Sequence, residues 1–420
     1  MSAGQWSLLD AERYLRSLEL FGMRFGLDRM HRLMTTLDQP ERRYATIHVV
    51  GTNGKSSTTR MIAAILQRHG LRVGAYLSPH LVSFAERIRV DDRDVEPRAF
   101  ARAVERAAHA AALVDRSQAA EDRVTQFEAL TAAAFAELAA REVDVAVIEA
   151  GLGGRWDATN VLPSSVQVLT TVGLEHTRWL GPTVRDIARE KLAVVRDGAT
   201  LVVGADLHAD ALEEARAAAE RHGARLVQAP ADPGVELAAA GGYQQRNFAL
   251  ARAAAGAYLG ALEPAAVRAA AAAVTVPGRM QVVAHEPLTV LDGAHNAEGV
   301  AALAESLPQL TAGRPLVAVV SILDDKDAAG MLRALLPHAE HVVFTRSRNP
   351  RALPPATLAS LCAQLGGPDG PGSELEADAR RALARARELA GAGGVVLATG
   401  SIYLVADLLA PAGQRSASML

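Results

Sequence analysis

The residues best suited to chemistry in this sequence sit where glycines, a lysine and hydroxyls follow an apolar run. His48–Met61 reads HVVGTNGKSSTTRM. Glycine lets a backbone turn closely around a ligand, lysine supplies a point charge, and the amides opening a helix can bind phosphate oxygens. The spacing departs from the commonest phosphate loop, G-x-x-x-x-G-K-[ST]. Val49 stands five residues before Gly54, and the nearby glycine is Gly51. Ser56, Ser57 and Thr58 are also what an ordinary helix start uses as caps. Taken alone, the stretch leaves both readings open.

Three more segments carry chemistry-bearing residues just past apolar runs: SPHLVSFAERIRV from Ser78, VIEAGLGGRWDATN from Val147 and TTVGLEHTRWLG from Thr170. They place the hydroxyl of Ser78, the carboxylate of Glu149 and the imidazole of His176 at strand ends. Ligands of open parallel sheets bind at the carboxyl edge. A hydroxyl, a carboxylate and an imidazole beside a phosphate loop can hold a hard cation, chiefly Mg²⁺. Each also has an ordinary explanation, Glu149 as a buried acid paired with an arginine and His176 as a turn residue. Their coincidence at one edge favours a site. GLGGRW does not complete G-x-G-x-x-G, because Trp156 takes the last glycine position, so a nicotinamide-binding reading finds little support.

The elements that must position these residues follow from periodicity. ATIHVVG, LRVGAYL, VDVAVIEAG, SVQVLTTVG and GATLVVGA are short apolar runs, and most of them end at glycine. SSTTRMIAAILQRHG has helical spacing at Met61, Ile62, Ile65 and Leu66. Apolar strands separated by helices imply a parallel sheet covered on both faces, over roughly residues 40–230. An Ala-rich helical stretch follows. Alternation then restarts with LTVLDGAHN, RPLVAVVSIL, EHVVFTRS and GGVVLATGS, which puts a boundary near Pro277, Gly278 and Pro287. A chain of 420 residues suits two domains. A net charge of -3 gives no support for a nucleic-acid or membrane-surface partner. Charges scattered from Asp10 to Arg16 do not suit a signal peptide, and the expected location is cytoplasmic. Cys362, the single cysteine, excludes an internal disulfide and a cysteine-based zinc site.

The motifs GTNGK, SPHLVSFAERIRV, FEALTA, EAGLGGRWDATN, GLEHTRWLG, IAREK, LDGAHN, DKD and ATGSIYLV occur in an order that resembles the folylpolyglutamate synthase/dihydrofolate synthase family, amide ligases related to the Mur ligases. The resemblance runs over essentially the whole chain. It implies an α/β fold: an N-terminal P-loop-type parallel-sheet ATP-binding domain over residues 1–284, and a smaller C-terminal Rossmann-like α/β domain, the glutamate-ligase domain, over 285–420. It further implies that Gly51, Thr52, Asn53, Gly54 and Lys55, with Ser56 and Ser57 behind them, form the ATP phosphate loop. Ser78, Glu149 and His176 match Mg²⁺ ligands, and two Mg²⁺ sites are expected. Lys191 matches a lysine that related enzymes carry as a carbamate. Asn247 matches an adenine-side residue, Arg279 a γ-phosphate residue, and Asp292 and His295 second-domain residues facing the nucleotide. Thr125, Phe127, Asp157 and Ala158 match the pterin-side pocket. Lys55, His176, Lys191 and Arg279 are the residues expected to act on the reaction.

Three positions depart from the family pattern. Ser56 replaces a glycine, Gln126 replaces an aromatic residue before Phe127, and Trp156 stands where leucine is commoner. The implied reaction converts a carboxylate to an acyl phosphate with ATP, and the amine of glutamate then displaces phosphate. The partners implied are small molecules: ATP, L-glutamate and a pterin- or folate-type acid. A monomer is the expected state. Two other functions compete. A Mur-type peptidoglycan ligase would place a nucleotide-sugar domain ahead of the phosphate loop, where only a short segment stands. A non-catalytic nucleotide switch would not need Ser78, Glu149, His176 and Lys191 together.

Overall fold

The computed structural model describes residues 6–19, 25–116 and 122–411. Eight strands form a first sheet: β1 (Ala45–Val50), β2 (Val73–Tyr76), β3 (Ile88–Val90), β4 (Arg93–Asp94), β5 (Val145–Glu149), β6 (Val166–Leu169), β7 (Thr200–Val203) and β8 (Arg225–Gln228). Their order is β4-β3-β2-β5-β1-β6-β7-β8. The pairs from β2 to β8 are parallel, while β3 and β4 add an antiparallel edge. The carboxyl ends of β1, β2, β5 and β6 therefore lie side by side, and each is followed by one of the chemistry-bearing segments.

Both faces of this sheet are covered. On one, the helix Lys55–Arg68 brings Met61, Ile62 and Ile65 against Phe248 and Ala251 of the helix Gly242–Leu259. The alanines Ala251, Ala254 and Ala255 are all fully buried there. On the other face, the helices Pro97–Asp115 and Gln126–Ala140 pack Phe100, Val104, Leu130 and Phe135 with Tyr76 and Ile148.

The second sheet takes β9 (Gln281–His285), β10 (Leu288–Leu291), β11 (Leu316–Val320), β12 (His341–Arg346), β13 (Gly372–Asp378) and β14 (Val395–Thr399), in the order β13-β12-β11-β14-β10-β9. Only β9 runs antiparallel. Its own apolar layers are closed by Leu303, Leu332 and Phe344 on one face and by Ala382, Ala386 and Leu404 on the other. Among the described residues, no helix is long and apolar enough to cross a membrane.

Near the amino terminus, Arg29 donates through Nε to Glu128 at 3.0 Å, and a second nitrogen pairs with Asp122. Arg29 and Glu128 are 5% and 6% exposed. Glu128 also accepts from the amide and hydroxyl of Thr125, at 2.8 and 3.0 Å, closing a capping box at the start of Gln126–Ala140. Breaking one side of a buried ion pair costs about 3–5 kcal/mol, because the other charge stays buried. Glu128→Gln is therefore expected to lower the unfolding temperature by several degrees, with nucleotide affinity retained; differential scanning calorimetry with and without ADP checks both.

Candidate active site at the carboxyl edge of the first sheet

The turn after β1 is shaped by crowding. A Cβ on Gly51 would fall 1.8 Å from the Thr170 hydroxyl oxygen. Gly54 has φ +85°, and a Cβ there would fall 2.5 Å from Oδ1 of Asn247. Only glycine fits these two places. The TTVG segment braces the loop from the β6 side. Thr52 N donates to the Thr171 carbonyl at 2.8 Å, Asn53 N to the Thr171 hydroxyl at 2.9 Å, and the Thr170 hydroxyl to the Asn53 carbonyl at 2.6 Å. The Thr52 hydroxyl accepts from Gly173 N at 3.1 Å. Lys55 folds back to donate to the carbonyls of Gly51 and Thr52, each at 3.1 Å. The helix begins at Lys55, and Ser57 is buried within its first turn.

Glu149, 1% exposed, closes β5 beside this loop. Its two oxygens accept from the Ser56 hydroxyl at 2.9 Å and from the amide of Ser78 at 3.1 Å. Burial pushes its carboxyl up to about 7, against the opposing pull of Lys55, of these hydrogen bonds and of Arg279. The turn carrying Ser78 is pinned from behind: Arg87, 1% exposed, donates through Nε to Nδ1 of His80 at 2.9 Å. Lys191 reaches the same loop from the helix Val184–Leu192, donating to the Gly51 carbonyl at 2.8 Å. Burial, then the charge of Lys55, brings its ammonium down to about 7. His176 stands on left-handed backbone, φ 52°, at the entry to a short helix, and is open to solvent on one side. Desolvation in the cleft, with the charges of Lys326, Lys55 and Lys191, outweighs Glu175 and brings its imidazole down to about 4.

The second domain faces this edge. Asp292 directly follows β10 and is 1% exposed. It accepts from the Tyr243 hydroxyl at 2.6 Å, from Met280 N at 2.8 Å and from Ala294 N at 2.8 Å. Arg279 donates to its neighbour's carbonyl at 3.1 Å and lies so close to Gly293 that a Cβ there would fall 2.2 Å from Nη1. His295 meets the Gly293 carbonyl through Nδ1 at 2.9 Å, and its Nε2 lies 3.4 Å from Glu175. Asn247 donates to Gln244 at 2.9 Å while its carbonyl oxygen faces Gly54.

The residues assigned to the acid pocket have heavily structural partners. Thr125 is the helix cap described above. Both oxygens of Asp157 are taken within their own turn, by Leu152 N at 2.8 Å, by Thr159 N at 3.0 Å and by the Thr159 hydroxyl. Ala158 is buried beside it. Phe127 lies against Gly151, where a Cβ would fall 2.6 Å from Cζ, and against Tyr76, ring centroids 6.2 Å apart. The Gln126 amide donates to the Leu15 carbonyl at 2.7 Å, so this departure from the family pattern ties the first helix to the start of Gln126–Ala140. Trp156 meets Phe25 edge-on, centroids 6.3 Å apart at 89°, and both rings are partly open to solvent.

Several residues here were not singled out from the sequence. Glu175 lies between His295 and Lys326, whose ammonium is 3.0 Å away. Against the effect of burial, His295 and Lys326 hold its carboxyl well below the usual range. Asn53 and Asn296 exchange a pair of amide hydrogen bonds at 3.2 and 3.0 Å. The motif DKD contains Lys326, and LDGAHN ends at Asn296. What the sequence lacks is the pairing, because each contact joins the two domains.

Two family models match the chain, the Mur ligase middle domain over residues 49–244 and the Mur ligase glutamate ligase domain over 278–402. A dihydrofolate synthase/folylpolyglutamate synthase of Mycobacterium tuberculosis is 37% identical over 383 residues, 82% of this chain and 79% of that protein. The enzyme of the same name from Escherichia coli is 32% identical, over 94% of this chain and 93% of its own. Among solved structures, Mycobacterium tuberculosis folylpolyglutamate synthase complexed with ADP superimposes with a TM-score of 0.87 at 34% identity, covering 96% of this chain and 97% of the other. E. coli FolC in complex with DHPP and ADP gives 0.84 at 28% identity, with coverages of 96% and 97%. With a glycine turn opening a helix, a buried carboxylate and a facing second domain arranged as above, and with relatives this similar over most of their length, the chain belongs to the folylpolyglutamate synthase/dihydrofolate synthase family of ATP-dependent amide ligases.

Proposed function

We propose that this chain joins L-glutamate to a folate-type carboxylic acid, dihydropteroate, a reduced folate or both, at the cost of ATP hydrolysis to ADP and phosphate. The observation that carries it is the meeting of Lys55, Lys191, Glu149 and the Ser56 hydroxyl around one glycine turn, with Arg279 at the crossing between the domains and Asp292 and His295 of the second domain beside it. A carboxylate is a poor acyl donor, and phosphorylation turns it into one. Transfer of a γ-phosphoryl group needs positioning and charge neutralisation more than covalent chemistry. The backbone amides at the helix start, Gly54 and Lys55, receive the phosphates, while those of Thr52 and Asn53 stay on Thr171 and hold the turn, with Lys55 leaving its two carbonyls to meet the phosphates. Arg279, in the turn just ahead of β9 where the chain crosses between the domains, approaches the transferring group. Asp292 fixes Tyr243 and the Met280 amide, which sets the position of Arg279. Asn247 stands on the far side of Gly54, toward the base.

The residues fit Mg²⁺. Glu149 is a buried carboxylate held at about 7 by burial, with one oxygen already on a hydroxyl, a donor set that a hard cation satisfies. Among the described residues, no group of three or more His, Cys, Asp or Glu gathers. Ser78, Glu149 and His176 would therefore hold the ion together with nucleotide phosphates and water, as Mg²⁺ prefers. When bound, the ion neutralises charge on the β- and γ-phosphates. His176, neutral at physiological pH, is in the protonation state a metal ligand requires. Ser56, the departure from the family's loop, is placed on the same carboxylate.

Lys191 suits carbamate formation. A lysine near 7 is largely neutral in mildly alkaline solution. Its amine can then attack CO₂, forming an N–C bond and losing a proton, so that a cation becomes an anion beside the loop. Phe127, Asp157 and Ala158, with the Phe25–Trp156 pair at the rim, are assigned to the pterin side.

Two outcomes check these assignments. ADP release should depend jointly on the acid and on glutamate, and Lys55→Ala should lower kcat by on the order of 10²–10³ with the fold retained; a Lys55→Ala protein with full glutamate-dependent ADP release overturns the loop assignment. With ¹³C-bicarbonate, a carbamate resonance should grow as pH rises from 6 to 8, because the amine must lose its proton to react. It should be absent from Lys191→Met, as read by ¹³C NMR.

A further inference from the structure

We propose that Lys326 and Glu298 are positioning residues: they latch the second domain over the phosphate loop and keep water from the activated acid. The inference rests on the amide-forming function proposed above. Among the described residues, polar contacts of Lys326, His295, Asn296 and Glu298 ring the loop, and all come from the second domain. Lys326 Nζ lies 3.0 Å from Glu175 Oε1, with both side chains only 9% exposed. Asn296, 8% exposed, pairs with Asn53 of the loop itself, and it caps the helix Ala297–Ala304 through Gly299 N at 2.7 Å. Glu298, in the first turn of that helix, lays its carboxylate against the backbone of Gly173–Leu174. A Cβ on Gly173 would fall 1.8 Å from Glu298 Oε2, so only glycine admits the carboxylate there.

The first-domain partners in these contacts are the loop residue Asn53 and residues 173–175. The TTVG segment that holds the loop also leads into 173–175. Closing the second domain and bracing the phosphate loop are thus the same event. The consequence lies in the fate of the acyl phosphate. When the glutamate amine attacks the acyl carbon, a C–N bond forms, the C–O bond to phosphate breaks and a proton leaves for solvent. When water attacks the same carbon, a C–O bond forms, the same bond to phosphate breaks, and the free acid, phosphate and a proton result. The second course consumes one ATP without forming an amide. An enzyme that leaves the cleft open to water between the two half-reactions lowers its yield of amide per ATP.

The test measures ADP and amide product in the same reaction with the full chain. The unaltered protein should give close to one amide per ADP. Lys326→Met and Glu298→Ala should each raise ADP per amide severalfold, and Lys326→Arg, which keeps the ion pair, should stay near the unaltered ratio. A merely structural role would lower the melting midpoint without changing that ratio. Should Lys326→Met not fold, Glu298→Ala decides, since its side chain lies on the surface of the second domain and takes no part in its apolar layers. The proposal is overturned if folded Lys326→Met or Glu298→Ala still yields one amide per ADP. ADP release by the unaltered chain with no glutamate-dependent amide overturns the function itself, and the latch with it.

Discussion

Two ammonium groups, those of Lys55 and Lys191, donate to the single carbonyl oxygen of Gly51. One carbonyl dipole cannot balance two like charges, and the site answers with proton affinity. Lys191 falls to about 7 from burial and from the charge of Lys55. Glu149, a buried carboxylate within reach of the Lys55 charge, moves the other way, to about 7, chiefly through burial. A lysine and a glutamate drawn toward the same pH, each by burial first, mark a cavity in which charge is under-compensated until a ligand brings its own. A polyphosphate with a divalent cation supplies both signs at once. The rest of the first domain can be understood as what keeps these groups together.

That task explains why the sheet has its order and why its turns are crowded. With β1 between β5 and β6, Gly51 looks directly onto Thr170, and Glu149 stands one strand away. Gly154 permits the helix that carries Lys191 to approach, since a Cβ there would fall 2.5 Å from the Lys191 carbonyl oxygen. Close backbone approach shortens the distance between charges, and it excludes water, which strengthens each of them. Rigid packing on both sheet faces makes the arrangement expensive to relax: Met61, Ile65, Phe248, Tyr76 and Phe135 are all fully buried.

Much of this was legible in the sequence, and the exceptions share a cause. The runs ATIHVVG, VDVAVIEAG and SVQVLTTVG are continuously apolar because β1, β5 and β6 are covered on both faces, so period and length identified them. β13, GSELEAD, was not identified: it is an edge strand with most residues exposed, and its polar alternation carries no burial signal. β3 and β4 escaped for a similar reason, being a short antiparallel margin. At the site, Lys55, Glu149 and Ser78 follow strand ends and could be placed by topology. Thr125, matched to the pterin side by resemblance, caps the helix Gln126–Ala140 through its hydroxyl, and a hydroxyl that caps a helix and one that faces a ligand have the same signature in sequence. Gln126 stands where the family has an aromatic residue, and its amide bonds the Leu15 carbonyl, a partner that the sequence does not reveal. The polar side-chain pairs that join the domains are 49 to 243 residues apart in sequence, and no local pattern encodes such an approach.

The two kinds of contact in the molecule also divide its labour. Each sheet has its own apolar layers, and the residues that meet across the domains are chiefly polar: Asn53 with Asn296, Glu175 with Lys326 and His295, Arg246 with Glu305. An apolar interface of the same extent would resist opening, because separating it exposes hydrocarbon to water. Amides and ion pairs exchange partners with water at modest net cost, each worth roughly 0.5–1.5 kcal/mol where neutral and partly exposed. Such a seam can open to admit a nucleotide and an acid and close again without disturbing either core. Leu81 is an exception, packing with Val405 of the second domain beside Gly278, where the chain passes from one domain to the other. That apolar contact lies at the crossing, and Tyr243 adds another by packing against the core of the second sheet, whereas the contacts around the glycine turn are polar.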